Sequence, residues 1–233
     1  LKKASKLICL NEKKFLVKLK KYNFFPKVIN YRNNEVFDEI TINKINGFNL
    51  INIHEEFKFW RKKNIINLYL NAIDILISLI NEGVIHRDIT PHNLLVECQN
   101  NSYNLKLIDF GWSVEINEKS PLTPGGLGSS YKFREGEFSD IYSMGKSFSQ
   151  FDRFTTFKEI NNYLITFNPN YYNNAKQTLD KLNTIKNKII RINKRIILKD
   201  ELLFFIKRNQ LGSKIKKTII YKVLSKSTYK FFI

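Results

Sequence analysis

Three side chains that carry oxygen ligands follow one another in the middle of this chain. Asp88 is followed five residues later by Asn93, and Asp109 comes after an apolar stretch. Hard divalent cations prefer carboxylate and amide oxygens as ligands. Transfer of a phosphoryl group needs such a set, because one carboxylate must accept the proton of a hydroxyl while a second carboxylate and an amide hold Mg²⁺ on the phosphates. These residue types are therefore suited to holding a divalent cation beside a general base, as phosphoryl transfer requires.

Two short apolar runs flank these side chains and predict the strands that position them. Leu94 to Val96 follows Asn93 directly, and Leu105 to Ile108 leads into Asp109. The residues between them, Cys98 to Asn104, predict a turn, so the two runs form a hairpin. This hairpin places Asn93 before one strand and Asp109 after the other.

The stretch from Val84 to Gly111 carries a resemblance to a known family. It reads V-I-H-R-D-I-T-P-H-N-L-L-V-E, then a polar turn, then N-L-K-L-I-D-F-G. An H-R-D sequence alone is common by chance. Its combination with an Asn at the required offset, two apolar strands and D-F-G, within about thirty residues, resembles the catalytic-loop and metal-binding segments of the protein kinase-like superfamily.

The resemblance implies a role for each residue of these segments. Asp88 would be the catalytic base, and Asn93 and Asp109 would hold Mg²⁺ on the phosphates of ATP. Arg87 would pair with the activation segment, and His86 would pack as a structural support. ATP and Mg²⁺ are therefore the expected cofactors.

The expected fold is α+β, a two-lobed protein kinase-like fold with a truncated, β-rich small lobe and a mainly helical large lobe. A chain of 233 residues with 43% hydrophobic content suits one such unit. We expect residues 1–47 to form the partial small lobe and residues 48–150 to form the core of the large lobe. Residues 151–233 form a basic helical region in this scheme, with helix-like segments at Leu179 to Ile197 and Glu201 to Arg208.

In the small lobe, an amphipathic helix is predicted from Asn11 to Tyr22, with Asn11 as its cap. By the resemblance, Glu12 on this helix would pair with a strand lysine that binds the nucleotide, either Lys3 or its competitor Lys2. The alternative is that both lysines are simply exposed. Residues 42–45 are expected to line the adenine pocket.

Glycine is absent before Gly47. A kinase-like nucleotide site usually has a glycine-rich hairpin over the phosphates, so either such a hairpin precedes Leu1 or this protein does without it. Strand-like segments at Val28 to Tyr31 and Glu35 to Ile42 complete the predicted small lobe.

The large lobe is expected to contain a buried central helix from Asn64 to Asn81, ending at Gly83. Polar residues interrupt its apolar run, so we predict no membrane span here. After Gly111, an activation-like segment runs to about Glu135, where Phe133-Arg134-Glu135 replaces the usual Ala-Pro-Glu. Asp140 then resembles the aspartate that anchors the catalytic loop, while Ser139 beside it is also a plausible helix cap.

Charge and cysteines indicate the setting of the protein. The formal net charge is +18, and the region from Lys176 onward carries 16 basic residues against three acidic ones. Such a region suits an anionic surface, although abundant Lys, Asn and Ile throughout favour a simple compositional bias. Cys9 and Cys98 form neither a disulfide framework nor a zinc pattern. We expect a cytoplasmic protein, either fully soluble or peripheral to a membrane, and no nucleic-acid partner.

Three functions fit these observations. The first is an ATP-dependent kinase that phosphorylates a protein Ser or Thr hydroxyl. The second is the same chemistry on a glycan, lipopolysaccharide or small molecule, suggested by Thr90, which stands where protein Ser/Thr kinases usually have Lys. The third is a catalytically inactive kinase-like binding module. Retention of Asp88, Asn93 and Asp109 together favours an active enzyme.

Overall fold

A computed structural model provides the architecture. It describes residues 2–4, 6–33, 38–54, 62–99, 102–116, 118, 139–151, 155–166 and 174–208. Most of the predicted activation segment, including Phe133-Arg134-Glu135, lies outside these residues.

The first part of the chain forms a three-stranded antiparallel sheet with one helix packed on it. The strands are β1 (Lys2–Ala4), β2 (Val28–Asn33) and β3 (Asp38–Ile42), in the order β1-β3-β2. The helix α1 (Lys6–Lys18) contacts all three strands. This is the small, β-rich lobe that the sequence predicted.

Helix α1 begins five residues earlier than predicted. The proposed cap, Asn11, lies inside the helix, which starts at Lys6 and ends at Lys18 rather than at Tyr22. Its buried face contains Cys9, Glu12, Phe15 and Leu16. Asn11 resembled a cap because Asn favours helix starts, but the packing of buried Cys9, two residues before it, extends the helix toward its N-terminus.

The larger part of the chain combines helices with two small sheets. Strands β4 (Gly47–Asn49), β6 (Leu94–Gln99) and β7 (Ser102–Leu107) form one antiparallel sheet, and β5 (Val84–Ile85) pairs with β8 (Val114–Glu115). The helices are α2 (Lys62–Asn81), α3 (Asp140–Phe148), α4 (Thr155–Ile165) and α5 (Ala175–Arg208). Short 3-10 helices cover Leu50–His54, Phe110–Trp112 and Ser149–Phe151. The predicted β6–β7 hairpin is confirmed, and so is the α+β fold class.

Helix α2 is the buried centre of this part, as predicted. It is long and apolar enough to cross a membrane, yet 61% of the relevant stretch is buried inside the protein. Its polar side chains bind neighbouring elements of the protein. Asn71 accepts the backbone N–H of Leu105 at 3.0 Å, and Asp74 pairs with Lys186 of α5. These contacts are those of a core helix. The helix is followed by Gly83, whose φ of 64° is the left-handed conformation that glycine adopts without steric cost.

Helix α5 differs from the sequence prediction. Two separate helical segments were expected on either side of residue 200, but one continuous helix runs from Ala175 to Arg208. Its buried residues Leu182, Ile185 and Ile189 belong to the same hydrophobic core as α2. The residues between the two expected segments, Leu198 to Asp200, include no Gly or Pro, so the helix continues through them readily.

Candidate active site

The loop between β5 and β6 is held by hydrogen bonds to a buried carboxylate. Asp140 Oδ2 accepts the backbone N–H of His86 at 2.7 Å, and its Oδ1 accepts the backbone N–H of Arg87 at 3.0 Å. Arg87 has a φ of 70°, which is unusual for a residue with a side chain. The two bonds hold the backbone in this conformation just before Asp88.

Asp140 fills this position because it begins a helix. Ser139 caps α3 by accepting the backbone N–H of Tyr142 at 3.3 Å, and Asp140 is the first helical residue. The two alternatives left open by the sequence are therefore both present, in neighbouring residues. Asp140 is only 3% exposed, and burial raises its pKa from 3.8 to about 6 although the two backbone N–H groups act in the opposite direction.

Asp88 and Asn93 are in direct contact. The Asn93 amide nitrogen donates to Asp88 Oδ2 at 2.8 Å and to the Asp88 carbonyl oxygen at 2.9 Å. A backbone bond of 3.0 Å from Asn93 to the Thr90 carbonyl closes the intervening turn. The predicted pair is thus assembled, with the Asp88 carboxylate oriented by the Asn93 amide.

Asp109 lies next to this loop. The residue before it, Ile108, donates its N–H to the Asn93 carbonyl at 3.0 Å, and the Ile108 carbonyl lies 3.1 Å from His86 Nε2. Asp109 itself has φ 67° and ψ 74°, and its Oδ1 accepts the N–H of Gly111 at 3.4 Å. The backbone that leads into Asp109 is therefore joined to the loop that carries Asp88 and Asn93.

The donor set suits Mg²⁺ bound with a nucleotide. Because the Asn93 nitrogen is directed at Asp88, its amide oxygen is the atom that can ligate a cation, together with the Asp109 carboxylate. Among the described residues, no group of three or more His, Cys, Asp and Glu side chains could hold a metal by itself. Mg²⁺ usually takes one or two protein ligands and completes its shell with phosphate oxygens and water, so two ligands at this position fit.

The buried rings of His86 and Phe110 pack against each other beneath the residues of the site. Both side chains are fully buried, and their rings meet edge to face with centroids 4.6 Å apart. Phe110 also packs edge to face on Phe25 of the small lobe at 5.4 Å. His86 thus occupies the supporting position that the sequence predicted, and the Phe of D-F-G links the two lobes.

Arg87 lies 8% exposed beside Asp140. Burial lowers the pKa of its guanidinium, and the charge of Asp140 opposes that effect. The activation segment with which it was predicted to pair lies largely outside the described residues, so this pairing stays a prediction.

Glu12 and Lys3 are carried by neighbouring elements. Glu12 is buried on α1, which packs against β1, and Lys3 lies on β1 opposite Glu39 of β3. The side chains of Lys3 and Lys2 lie outside the described residues. The predicted lysine partner of Glu12 therefore stays a prediction.

Asn11 is a residue of this region that the sequence interpretation missed. Its amide nitrogen donates to the carbonyl oxygens of Gly111 at 2.9 Å and Ser113 at 2.8 Å. No local pattern predicts these contacts, since they join residues about a hundred positions apart and Asn11 resembled a helix cap.

Residues 43–46 connect β3 to β4 without regular structure, at the place where the adenine pocket was expected. Asn43 and Ile45 line a cavity of about 520 Å³ that contains none of Asp88, Asn93 and Asp109. Its other walls come from the turn after α1 and from the β6–β7 hairpin, namely Asn23, Phe24, Phe25, Lys27, Glu97, Asn104, Leu105 and Lys106. Contact of residues 42–45 with the base stays a prediction.

A family model described as protein kinase domain matches residues 8–200 of this chain. The chain belongs to the protein kinase domain family. The match extends about fifty residues beyond residue 150, where the core of the large lobe was expected to end. This agrees with the continuous packing of α5 on the core of the kinase domain.

Curated relatives match parts of this kinase domain. An Aurora kinase of Candida albicans is 46% identical over 52 residues, which cover 22% of this chain and 9% of the relative. The dual specificity protein kinase zakA of Dictyostelium discoideum is 36% identical over 111 residues, covering 47% and 14%. A probable serine/threonine-protein kinase of the same organism is 37% identical over 113 residues, covering 43% and 16%. The chain thus covers only 9 to 16% of the length of these relatives.

Proposed function

We propose that this kinase domain transfers the γ-phosphate of ATP to a Ser or Thr hydroxyl of a protein. The observation that carries the proposal is the contact between Asp88 and Asn93, in which the amide holds the carboxylate at 2.8 Å within a loop anchored by Asp140. An oriented carboxylate next to two metal ligands is the arrangement that phosphoryl transfer requires.

In the proposed mechanism, the chain contributes mainly position and charge. Asp88 accepts the proton of the attacking hydroxyl, and Asn93 fixes the direction of its carboxylate. Asn93 Oδ1 and the Asp109 carboxylate would hold Mg²⁺, which would supply positive charge to the phosphates of ATP. His86, through its contact with the Ile108 carbonyl, keeps Asp109 beside the catalytic loop.

The nature of the acceptor is the finer part of the proposal. The relatives whose names state an activity are protein kinases, which supports a protein acceptor. Thr90, in place of the usual Lys, supports the second candidate, a hydroxyl of a glycan or small molecule. In either case the transferred phosphate lacks the neighbouring lysine, so more of its charge must be met by metal and other cations. A cytoplasmic location, and contact of the basic region with an anionic surface, remain predictions.

The proposal is tested with the purified chain, γ-labelled ATP and Mg²⁺. Replacing Asp88 by Asn should lower phosphotransfer at least about a hundredfold, because general-base catalysis commonly contributes that much. Asp180→Asn, an exposed carboxylate on α5, is the matched control and should keep full activity. Equal rates for wild type and Asp88→Asn would refute the assignment.

Two further measurements separate the alternatives. Incubation with a lysate divided into protein, lipid and glycan fractions shows which one becomes labelled, and label confined to glycan or glycolipid would overturn the protein-kinase proposal. Thermal melting with and without Mg-ATP addresses the inactive binding module, since a nucleotide that binds the folded state raises the melting temperature. A lack of both turnover and thermal shift would favour the inactive module.

A further inference from the structure

Asn11 connects α1 directly to the backbone that follows Asp109. Its amide group has two N–H donors, and they are used on the carbonyls of Gly111 and Ser113, at 2.9 and 2.8 Å. These carbonyls belong to the turn of Phe110–Trp112 and the residue after it. One side chain of the small lobe thus binds a carbonyl within the turn and a second carbonyl at its end.

A second observation shows how closely α1 approaches this turn. A Cβ atom added to Gly111 would lie 2.6 Å from Ile8 Cγ2 on the same helix face. Real Cβ atoms do not approach other carbons so closely, so a larger residue at position 111 would require the Ile8 side chain or the turn to shift. The absence of a side chain at Gly111 thus allows α1 to approach this turn closely.

Flanking ion pairs extend the same contact. Lys14 lies 3.3 Å from both Glu115 and Glu118, and Lys18 lies 3.4 Å from Glu115. The hydrogen bond from Lys14 is the main cause that lowers the pKa of Glu115. These charges are largely exposed and add little stability, so the amide bonds of Asn11 are the specific part of the contact.

The backbone of Asp109 needs such support. Its φ of 67° lies in the left-handed region, which a residue with a side chain occupies only when its surroundings fix it. On one side, Ile108 is held by Asn93 and His86. On the other side, Asn11 holds the carbonyls of Gly111 and Ser113.

We propose that Asn11 is a positioning residue, which acts through the 111–113 backbone to hold Asp109 in the orientation required for Mg²⁺; the link to Mg²⁺ rests on the proposed function. Helix propensity does not explain Asn at this position, because Asn is a poor residue for a helix interior and Ala is the best. A role confined to α1 would therefore make Asn11→Ala neutral or stabilising.

The test compares wild type with Asn11→Leu, which keeps a side chain branched at Cγ but removes both donors, and with Asn11→Ala. Leu10→Ala is the matched control, since Leu10 lies next to Asn11 on the exposed face of the same helix. In both Asn11 variants, amide hydrogen exchange of residues 109–115 should accelerate about tenfold, the scale expected for loss of one or two hydrogen bonds. Exchange in residues 86–93 should stay near the wild-type rate.

The kinetic part of the test measures phosphotransfer as a function of Mg²⁺ at fixed ATP. Half-saturation by Mg²⁺ should rise at least about fivefold in Asn11→Leu, on the same scale of lost hydrogen bonding, while the KM for the acceptor stays unchanged. An unchanged Mg²⁺ dependence in an active enzyme would overturn the link to Asp109. Hydrogen exchange does not depend on turnover, so equal exchange in wild type and variants overturns the positioning role even where the wild type transfers no phosphate.

Discussion

Asp140 accepts the backbone N–H of His86 at 2.7 Å, and this bond joins the first turn of α3 to the start of the catalytic loop. The other carboxylate oxygen accepts, at 3.0 Å, the N–H of Arg87, a residue with a left-handed φ. The loop conformation thus depends on two acceptors that belong to one side chain 53 or more residues away.

Replacing Asp140 by Asn should misplace Asp88. The amide keeps one acceptor oxygen but puts an NH₂ group against a backbone N–H, so one bond is lost and two donors face each other. We expect phosphotransfer to fall at least about tenfold, the equivalent of one such bond, with faster amide exchange at residues 86–88. Ser139→Ala is the control, because it removes the cap of α3 without touching the loop, and it should keep most of the activity. Full activity in Asp140→Asn would contradict the anchoring role.

The raised pKa of Asp140 predicts a dependence of stability on pH. Burial raises the pKa from 3.8 to about 6 in the folded protein, so the folded state binds this proton more tightly than the unfolded state. The contribution of Asp140 to the free energy of unfolding is therefore largest below about pH 4 and falls as the pH rises to about 6. At about 1.4 kcal/mol for each pKa unit, the change is about 3 kcal/mol.

This dependence is isolated by comparison with Asp140→Asn, which does not titrate. Urea unfolding of both proteins from pH 4 to pH 7 should show the wild type losing stability relative to the variant as the pH rises. Arg87 and Asp88 also act on the Asp140 carboxylate, in opposite directions, so they belong to the same titration. A constant difference across this range would show that Asp140 keeps an ordinary pKa.

Local sequence patterns predicted the catalytic segments because their geometry is local. The β6–β7 hairpin follows from two apolar runs and a polar turn, and it fixes Asn93 and Asp109 at its ends. The contact between Asn93 and Asp88 spans only five residues. Such short connections leave few alternatives for the local geometry, whereas the roles of these residues were inferred from the resemblance to protein kinases.

Contacts between distant parts of the chain were not predictable in the same way. Asn11 reads as a helix cap because its neighbours in sequence say nothing about Gly111, to which it donates a hydrogen bond across 100 residues. The packing of α5 was not predictable either. Its buried residues Leu182 and Ile189 belong to the same core as α2, which helix propensity and charge patterns do not reveal.

The amide of Asn93 should be needed both to orient the Asp88 carboxylate and to bind Mg²⁺. Asn93→Ala removes the two hydrogen bonds to Asp88 and a proposed metal ligand together, so we expect a loss of at least about a hundredfold in phosphotransfer. Asn93→Asp keeps a ligand oxygen but places a second carboxylate against Asp88. Its activity should therefore fall less at high Mg²⁺ than at low Mg²⁺, because the cation screens the repulsion. Equal losses at all Mg²⁺ concentrations would argue against a metal at this position.

The last prediction concerns α5, which packs against α2 as part of the hydrophobic core. Leu182 is fully buried in that core, so Leu182→Ala should lower the free energy of unfolding by about 2 to 5 kcal/mol, as for other large-to-small core substitutions. Asn183→Ala, at the next and exposed position, should change it by less than about 0.5 kcal/mol. Urea unfolding measures both. If the basic C-terminal region were instead a helix independent of the kinase domain, Leu182→Ala would leave the unfolding midpoint unchanged.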